Sequence, residues 1–439
     1  MTIRTKALGL AAAMALPFVA GPALSYELTV PLLTYRTGPY APSGIPVANA
    51  FSDYFTLLNE KYGGIEGAKI NYVECETAYN TQQGVECYEN VKNMGESGAL
   101  VINPFSTGIT YQLIPKASED KIPILSMGYG RTSAADGSVF PYIFNLPAHY
   151  WSGATVIMKY IAEKEGGQAN MKGKKVALVY HNSAYGKEPI RTLETIAKDW
   201  GYELMLLPVD HPGQEQKATW LQIRRDRPDW VVMWGWGVMN QVAVKEAASI
   251  RYPMDRFIGI WWSGSENDVL PAGKDATGYQ AATFNAPGTN FPLIQEILTE
   301  LYDKGKGAGE REAVGDSLYN RGLLNAVATA EGLRTAIKMH GTVEIRGEQA
   351  RDGFENLVID NKRWEELGLG GGFAPEIKIA CNNHEGSGAA AIQQWNAETG
   401  EWTLVTDWIQ PMTDVIQPLL AADAEAYAKE NNITPRDCK

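Results

Sequence analysis

Residues 175–207 read KVALVYHNSAYGKEPIRTLETIAKDWGYELMLL, and this stretch decides the fold class. The apolar run at residues 175–180 predicts a buried strand, residues 189–201 have helical periodicity, and residues 203–207 predict a second strand. Strands that alternate with helices form parallel sheets with helices packed on their faces. The stretch therefore predicts an α/β fold.

The same alternation continues on both sides of this stretch. Further strands are predicted at residues 28–33, 69–74, 99–102, 122–126, 230–234 and 257–261. Helices are predicted between them at residues 47–62, 152–165, 218–225 and 241–250. Two such series predict two doubly wound parallel-sheet lobes, in which ligands bind beyond the carboxyl ends of the strands.

The pattern changes after Gly278, where long helices are predicted at residues 291–304 and 318–340. Residues 389–407 predict a β-hairpin whose two strands are joined at Glu398-Thr-Gly400. The glycine-rich segment at residues 368–372 lacks the spacing and the following helix of a nucleotide-binding loop, which favours a flexible loop.

The N-terminus predicts export. Arg4 and Lys6 precede an apolar stretch at residues 7–20, and Ala23-Leu-Ser25 offers small residues for cleavage before Tyr26. These are the features of a secretory signal peptide at residues 1–25, cleaved near Ser25. The apolar stretch is too short for a membrane anchor, so we expect a soluble periplasmic protein.

Charge and cysteine content fit that compartment. The 39 basic and 51 acidic residues give a net charge of −12, which disfavours nucleic acid as a partner. The four cysteines are an even number in an oxidising compartment, and we expect Cys75 to pair with Cys87 and Cys381 with Cys438. A zinc site would require CxxC spacing or paired histidines, which the sequence lacks.

Three loops carry a resemblance to a known family. They are Thr37-Gly-Pro-Tyr-Ala-Pro-Ser-Gly44, Asn103-Pro-Phe-Ser-Thr-Gly108 and Tyr180-His-Asn-Ser-Ala-Tyr-Gly-Lys-Glu188. With the two series of strands and helices, they resemble the leucine/isoleucine/valine-binding family of periplasmic receptors, the ligand-capturing components of ABC importers. The resemblance covers essentially the whole exported chain.

The resemblance implies a chain that crosses between the lobes three times. Residues 26–148 and 280–365 would form the first lobe, residues 149–279 and 366–425 the second, and residues 426–439 a C-terminal tail. It also implies a monomer that closes on a small-molecule ligand by hinge motion and delivers it to an ABC permease of the inner membrane.

Enzyme function has no support in the sequence. The chain lacks the GxSxG, HExxH, GxxxxGK[ST] and GxGxxG patterns of hydrolases and nucleotide-binding enzymes. Its five histidines, at positions 149, 181, 211, 340 and 384, lack ligand spacing. A secreted enzyme is therefore the weakest of the functions considered.

Binding features lie in the loops at the carboxyl ends of strands. Ser106 or Thr107 would cap a helix and leave its N-terminal N–H groups available to an anionic oxygen, although the hydroxyl also fits a purely capping role. Tyr129 follows the next strand, and Tyr40 and Tyr185 lie in two of the quoted loops. We expect these tyrosines at the ligand site.

Tryptophans are the strongest signal for the ligand. Trp234 and Trp236 follow one strand, Trp261 and Trp262 follow the next, and Trp151 lies just beyond the first crossing. Residues two apart in a strand share a face, so Trp234 and Trp236 would point together. The set predicts an aromatic cage, and the alternative is that the indoles simply pack in the core.

The ligand expectation combines the cage with the family resemblance. Amino-acid-binding members place a carboxylate after the strand that corresponds to residues 257–261, where this chain has Trp262, with Glu266 a few residues later. A primary ammonium would lack a partner, whereas a methylated ammonium binds to aromatic faces. The arrangement resembles the trimethylamine N-oxide receptors of the family, so we expect this ligand ahead of choline and betaine. Aromatic acids and branched-chain amino acids are the alternatives.

The loop at residues 182–188 predicts a weak cation site. Asn182 and Glu188 offer oxygen ligands of the type that Ca²⁺ prefers. The alternative, which we favour, is that Glu188 lies at a helix N-terminus ahead of Pro189. No cofactor is required by the expected function.

Overall fold

The computed structural model describes residues 26–438, so the predicted signal peptide lies outside the described residues. The described chain forms two α/β lobes around two parallel-dominated sheets, which confirms the predicted fold class. Within this part of the chain, no helix has both the length and the apolarity to cross a membrane.

The first lobe begins with a parallel sheet covered by helices. Its elements are β1 (Glu27–Thr34), α1 (Ala41–Lys61), β2 (Lys69–Glu76), α2 (Thr81–Val91), α3 (Thr107–Asp120), β3 (Ile124–Leu125) and β4 (Ile143–Phe144). Strand β1 pairs with β2, and β3 pairs with β4. Residues 99–103, predicted as a strand, join the two pairs through isolated parallel bridges. Every residue of β1 after Glu27 is buried, as expected for a sheet with both faces covered.

The second lobe follows the first crossing. Its elements are α4 (Tyr150–Lys164), β5 (Lys175–His181), α5 (Ala184–Lys187), α6 (Ile190–Trp200), β6 (Glu203–Val209), α7 (Lys217–Asp226), β7 (Trp230–Trp234), α8 (Val238–Ser249), β8 (Phe257–Gly259), α9 (Glu266–Val269) and β9 (Gln280–Thr283). These strands are parallel and lie in the order β9-β8-β7-β5-β6. The carboxyl ends of β5, β7 and β8 therefore lie along one edge of the sheet.

The chain then returns to the first lobe, but later than the expected boundary at residue 280, because β9 (Gln280–Thr283) still pairs with β8 of the second sheet. The returning elements are α10 (Pro292–Glu300), α11 (Ser317–His340), α12 (Gly347–Glu355), β10 (Val358–Ile359), α13 (Asn361–Glu366) and β11 (Ile377–Lys378). Helix α11 packs on α1 and is buried on nearly all sides along its first four turns. It is therefore a core helix of the first lobe.

The last elements are β12 (Ala391–Asn396), β13 (Glu401–Leu404) and α14 (Thr413–Glu430). The predicted hairpin is present, and β12 pairs antiparallel with β9 at the edge of the second sheet. The transfer to the second lobe comes later than the expected boundary at residue 366, because β11 still pairs with β10 of the first lobe.

Helix α14 differs from the expectation of a second-lobe segment followed by a tail. Asp423 pairs with Arg131 of the first lobe at 2.8 Å and lies 3.8 Å from Arg191 of the second lobe. The helix therefore lies across both lobes. The four-residue spacing of its buried residues, Ile416, Leu420, Ala424 and Ala428, is a helical signal that the sequence contained.

Both predicted disulfides are present, and the described residues contain no free cysteine. The Cys75–Cys87 bond joins β2 to α2 within the first lobe. The Cys381–Cys438 bond fixes the segment after α14 to the loop that follows β11. This cross-link holds the segment after α14 against the rest of the chain.

Candidate functional site

Aromatic side chains from both lobes meet where the two sheets face each other. We call this set the interlobe aromatic cluster, and its members are Tyr35, Phe105, Tyr129, Tyr150, Tyr185, Trp234, Trp236, Trp261 and Trp262. None of them is more than 4% exposed. The cluster lies beyond the carboxyl ends of the strands, where ligands of doubly wound sheets bind.

The centre of the cluster is a stack between the lobes. The ring of Tyr129, from the first lobe, stacks on Trp262, from the second, with centroids 4.2 Å apart. Trp236 packs edge-on against Trp262 at 5.0 Å and against Tyr35 at 5.9 Å. The hydroxyl groups of Tyr35 and Tyr129 are hydrogen bonded at 2.8 Å. Aromatic rings from the two lobes therefore pack against each other as one group.

Trp261 and Trp262 reach the cluster from a turn rather than from a strand. Strand β8 ends at Gly259, and the two tryptophans lie in the following 3₁₀ turn, so the predicted strand at residues 257–261 is too long. Two consecutive strand residues would face opposite sides, whereas here both indole N–H groups donate to the Gly128 carbonyl at 3.2 Å. Gly128 has a φ of +66°, a conformation that glycine adopts without strain.

Trp234 and Trp236 also enter the cluster, against different rings. Trp234 is the last residue of β7 and packs edge-on against Tyr150 at 5.8 Å. Trp236 follows in the loop and lies 6.2 Å from Tyr129. The indole N–H groups of Trp234 and Trp236 are buried without a hydrogen-bond partner. A buried donor without a partner is costly, so a hydrogen bond to either group would be favourable.

Trp151 lies outside the cluster. Its indole N–H donates to the Glu188 carbonyl at 2.9 Å, and its ring packs with Ala135, Ile416 and Leu420. Its neighbour Tyr150 takes the place in the cluster, with its ring stacked on Trp261 at 5.7 Å. Neighbouring helical residues differ in direction by about 100°, and helix α4 begins at Tyr150. The prediction that Trp151 joins the other tryptophans is therefore not met, and the neighbouring Tyr150 enters the cluster instead.

Ser106 and Thr107 occupy the start of α3 as predicted. The Ser106 hydroxyl caps the helix by accepting a hydrogen bond from the Ile109 N–H at 3.4 Å. The Thr107 hydroxyl accepts from the Gly130 N–H at 3.2 Å and lies 3.3 Å from the Tyr150 hydroxyl. Thr107 therefore contacts the cluster, whereas Ser106 acts at the helix terminus.

Tyr185 and Tyr40 lie at two sides of the interlobe space. The Tyr185 hydroxyl donates to the Gly235 carbonyl at 2.8 Å, within the second lobe. The Tyr40 hydroxyl bridges the lobes, because it lies 3.0 Å from His181 Nε2 and 2.5 Å from His211 Nδ1. Burial and the neighbouring His211 lower the pKa of His181 to about 4. The sequence does not point to this pair, because the two histidines lie thirty residues apart in the chain.

Arg321 is a site residue that sequence reasoning did not single out. It lies within α11 and is completely buried, with its guanidinium 5.2 Å from the Trp262 ring and 5.0 Å from the Phe284 ring. Burial lowers its pKa to about 10, so the group stays charged at neutral pH. In the sequence, Arg321 could have been noticed as an arginine among the small and apolar residues of a helix.

Two carboxyl groups lie beside the cluster on α9, the half-buried Glu266 and the buried Asp268. Glu266 accepts hydrogen bonds from the Ser317 N–H and hydroxyl at 3.1 Å, and therefore joins the second lobe to the N-terminus of α11. Asp268 accepts from the Asn240 amide at 3.0 Å and from the Ser265 N–H at 2.9 Å. Burial raises the pKa of both carboxyl groups, and Asp316 adds to the effect at Glu266.

The two candidate calcium ligands face different partners. Asn182 donates to Asp210 at 2.7 Å, whereas the buried Glu188 carboxylate accepts from the Tyr111 hydroxyl at 2.7 Å and from the Thr132 N–H at 3.3 Å. Across residues 26–438, no three His, Cys, Asp or Glu side chains are grouped to hold a metal ion. The hydrogen bonds of the two side chains share no partner.

Comparison with known proteins agrees with the two-lobe geometry. The crystal structure of an "abc transporter permease" from the Pseudomonas fluorescens group is 41% identical, covers 94% of this chain and 99% of its own, and superimposes with a TM-score of 0.87. A valine-bound branched-chain amino acid ABC transporter protein from Thermus thermophilus is 22% identical over 90% of this chain and 99% of its own, with a TM-score of 0.76.

A curated relative and a family model extend this likeness along the chain. The Leu/Ile/Val-binding protein BraC3 of Rhizobium johnstonii is 23% identical over 348 residues, which are 78% of this chain and 87% of that protein. The model described as "Periplasmic binding protein" matches residues 27–401. The match includes strands β1 to β12 and every member of the interlobe aromatic cluster, and this chain therefore belongs to the periplasmic binding protein family.

Proposed function

We propose that the chain is the solute receptor of an ABC importer, is exported to the periplasm, and binds a small organic solute in the interlobe aromatic cluster. One observation carries the proposal: rings from both lobes, centred on the Tyr129–Trp262 stack, meet at the carboxyl ends of two facing sheets. A ligand held there contacts both lobes at once, so its binding favours the closed form over the open one. In this role the protein performs no chemistry and requires no cofactor.

The chemistry of the cluster distinguishes ligand classes. An amino acid would bring a primary ammonium, whose three N–H donors require acceptors. The nearby carboxyl groups of Glu266 and Asp268 already accept hydrogen bonds from the protein. Trp234 and Trp236 offer donors rather than acceptors. Branched-chain amino acids are therefore the weaker candidates.

Trimethylamine N-oxide and aromatic acids both suit this chemistry. The methyl groups of trimethylamine N-oxide would lie on the indole faces through cation–π attraction, and its oxygen would accept a hydrogen bond from a free indole N–H. An aromatic acid would stack on the same rings and present a carboxylate to the same donors. The receptor would act as a monomer and deliver the solute to a permease of the inner membrane.

Binding and closure are measured together. We expect a member of a panel of methylated amines, aromatic acids and amino acids to raise the melting temperature of the mature chain, because a ligand at 100 times its Kd stabilises by about 2.7 kcal/mol. The same compound should reduce the radius of gyration in small-angle X-ray scattering. A compound that binds at the cluster without any change in scattering, from a receptor shown to be open beforehand, would contradict the closure mechanism.

A further inference from the structure

Arg321 is a buried cation without a carboxylate partner. Three of its N–H groups donate to neutral acceptors: Nε to Asn285 Oδ1 at 3.0 Å, Nη2 to Thr283 Oγ1 at 3.3 Å, and Nη1 to the carbonyl of Trp261. A guanidinium has five N–H groups, so two remain available. Within residues 26–438, none of its hydrogen bonds reaches a negatively charged group.

The neighbouring carboxyl groups do not fill this role. Glu266 and Asp268 attract Arg321 through space, but their hydrogen bonds go to Ser317, Asn240 and Ser265. Burial also raises the pKa of both groups, which reduces the negative charge that they carry. A buried guanidinium that has only neutral hydrogen-bond partners is less stable than one paired with an anion, and an anionic ligand would supply that partner.

The position of Arg321 connects this charge to the ligand site. Its guanidinium lies 5.2 Å from the ring of Trp262, the same ring that stacks on Tyr129. The buried N–H groups of Trp234 and Trp236 in this cluster also lack acceptors. A cation and two free donors at one cluster would suit a ligand that supplies negative charge and accepts hydrogen bonds.

We propose that Arg321 selects ligands that carry an anionic oxygen, either a carboxylate or an N-oxide, within the interlobe aromatic cluster. The inference rests on the proposed receptor function and narrows its ligand class. Choline is excluded because its net positive charge would meet a guanidinium beside Trp262. Trimethylamine N-oxide stays within the class, since its charges cancel and its oxygen is negative.

Pairs of similar ligands test the inference on the unmodified mature chain. Calorimetry would compare benzoate, phenylacetate and cinnamate with their neutral amides, and trimethylamine N-oxide with choline. We expect at least one anionic-oxygen ligand to bind tenfold or more tightly than its partner. The inference is overturned when a neutral amide binds as tightly as its acid, when choline binds as tightly as the N-oxide, or when no anionic-oxygen ligand binds.

Variants at position 321 provide a second measurement. Arg321→Gln should remove the preference for the acid over the amide, and Arg321→Lys should restore part of it because the charge returns. An unchanged acid-to-amide ratio in folded Arg321→Gln contradicts the inference. When that variant does not fold, the comparison of ligand pairs on the unmodified chain decides.

The receptor proposal is judged separately. A Trp236→Phe variant should weaken binding of any ligand of the cluster, whether the ligand is neutral or anionic. Trp395→Phe is the matched control, because Trp395 is also buried with an unpartnered N–H but packs on Trp402 in the hairpin. A neutral ligand that is sensitive to Trp236 but not to Arg321 would leave the receptor function standing and refute only the anionic selection.

Discussion

The rings of Tyr129 and Trp262 stack across the two lobes with their centroids 4.2 Å apart. Tyr129 follows a strand of the first sheet, and Trp262 follows a strand of the second. Stacked aromatic pairs contribute about 0.5–1.5 kcal/mol beyond the area that they bury. The pair therefore stabilises the contact between the two lobes.

Removing the indole at Trp262 should reduce ligand affinity. We expect Trp262→Ala to weaken binding by at least tenfold, or about 1.4 kcal/mol, because aromatic attraction and apolar contact are lost together. Trp262→Phe should do less damage because it keeps an aromatic face. Titration calorimetry with the tightest ligand of the panel measures both variants. Equal affinities for the alanine and the unmodified protein would remove Trp262 from the ligand site.

The sequence identified much of this cluster because chain order determines where strands end. Trp234, Trp236, Trp261 and Trp262 were singled out as residues that follow strands, and all four meet in the structure. Alternation of strands and helices is a local pattern, which explains why the elements of the two sheets could be predicted. The return of the later helices to the first lobe, by contrast, is implied by the family resemblance.

The missed residues depend on contacts that chain order does not encode. Arg321 comes from the first-lobe helix α11 and reaches the cluster through the packing of that helix against the other elements. Tyr35 joins through a hydrogen bond to Tyr129, 94 residues away. Trp151 illustrates a third limit: the first residue of a helix determines which neighbouring side chain faces inward.

The bridge from Tyr40 to His181 predicts loss of stability in acid. Burial, with His211 nearby, lowers the pKa of His181 from 6.5 to about 4, so the folded protein holds the neutral imidazole. The unfolded chain binds this proton near pH 6.5. The contribution is therefore fully present above pH 6.5 and is lost as the pH falls from 6.5 towards 4.

Melting temperatures measured between pH 6.5 and pH 4 test whether the stability falls with the pH. His181→Gln should flatten the fall in stability between pH 6.5 and 4, because the titrating group is gone. A His181→Gln variant with an unchanged slope would show that other groups cause the acid sensitivity.

The two disulfides should differ in their contributions to stability. Their sequence separations are 12 for Cys75–Cys87 and 57 for Cys381–Cys438. In the chain-entropy model these loops correspond to about 3 and about 4 kcal/mol, respectively. Urea unfolding of the two double-serine variants measures the difference. We expect the Cys381/Cys438 variant to lose more, and the reverse order would show that contacts of α14, rather than loop closure, determine the effect.

Glu266 should make the protein less stable as the pH rises above 4.5, whereas His181 should make it less stable as the pH falls below 6.5. Glu266 is half-buried between α9 and the start of α11, and loss of hydration there, together with the nearby Asp316, raises the pKa of its carboxyl group above the usual 4.5. The folded state therefore holds this proton more tightly than the unfolded chain does. Stability from this group is fully present below pH 4.5 and is lost as the pH rises through the raised pKa.

Replacing Glu266 with glutamine isolates this effect. The amide oxygen of Glu266→Gln still accepts the hydrogen bond of the Ser317 N–H, but no proton is released, so the decline in melting temperature from pH 5 to 9 should become shallower. Glu398→Gln, in the exposed turn of the hairpin, is the matched control and should leave the decline unchanged. If Glu266→Gln declined as steeply as the unmodified protein, its carboxyl group would be ionised in the folded state at neutral pH. The contact between the lobes would then join a charged carboxylate to the N-terminus of α11.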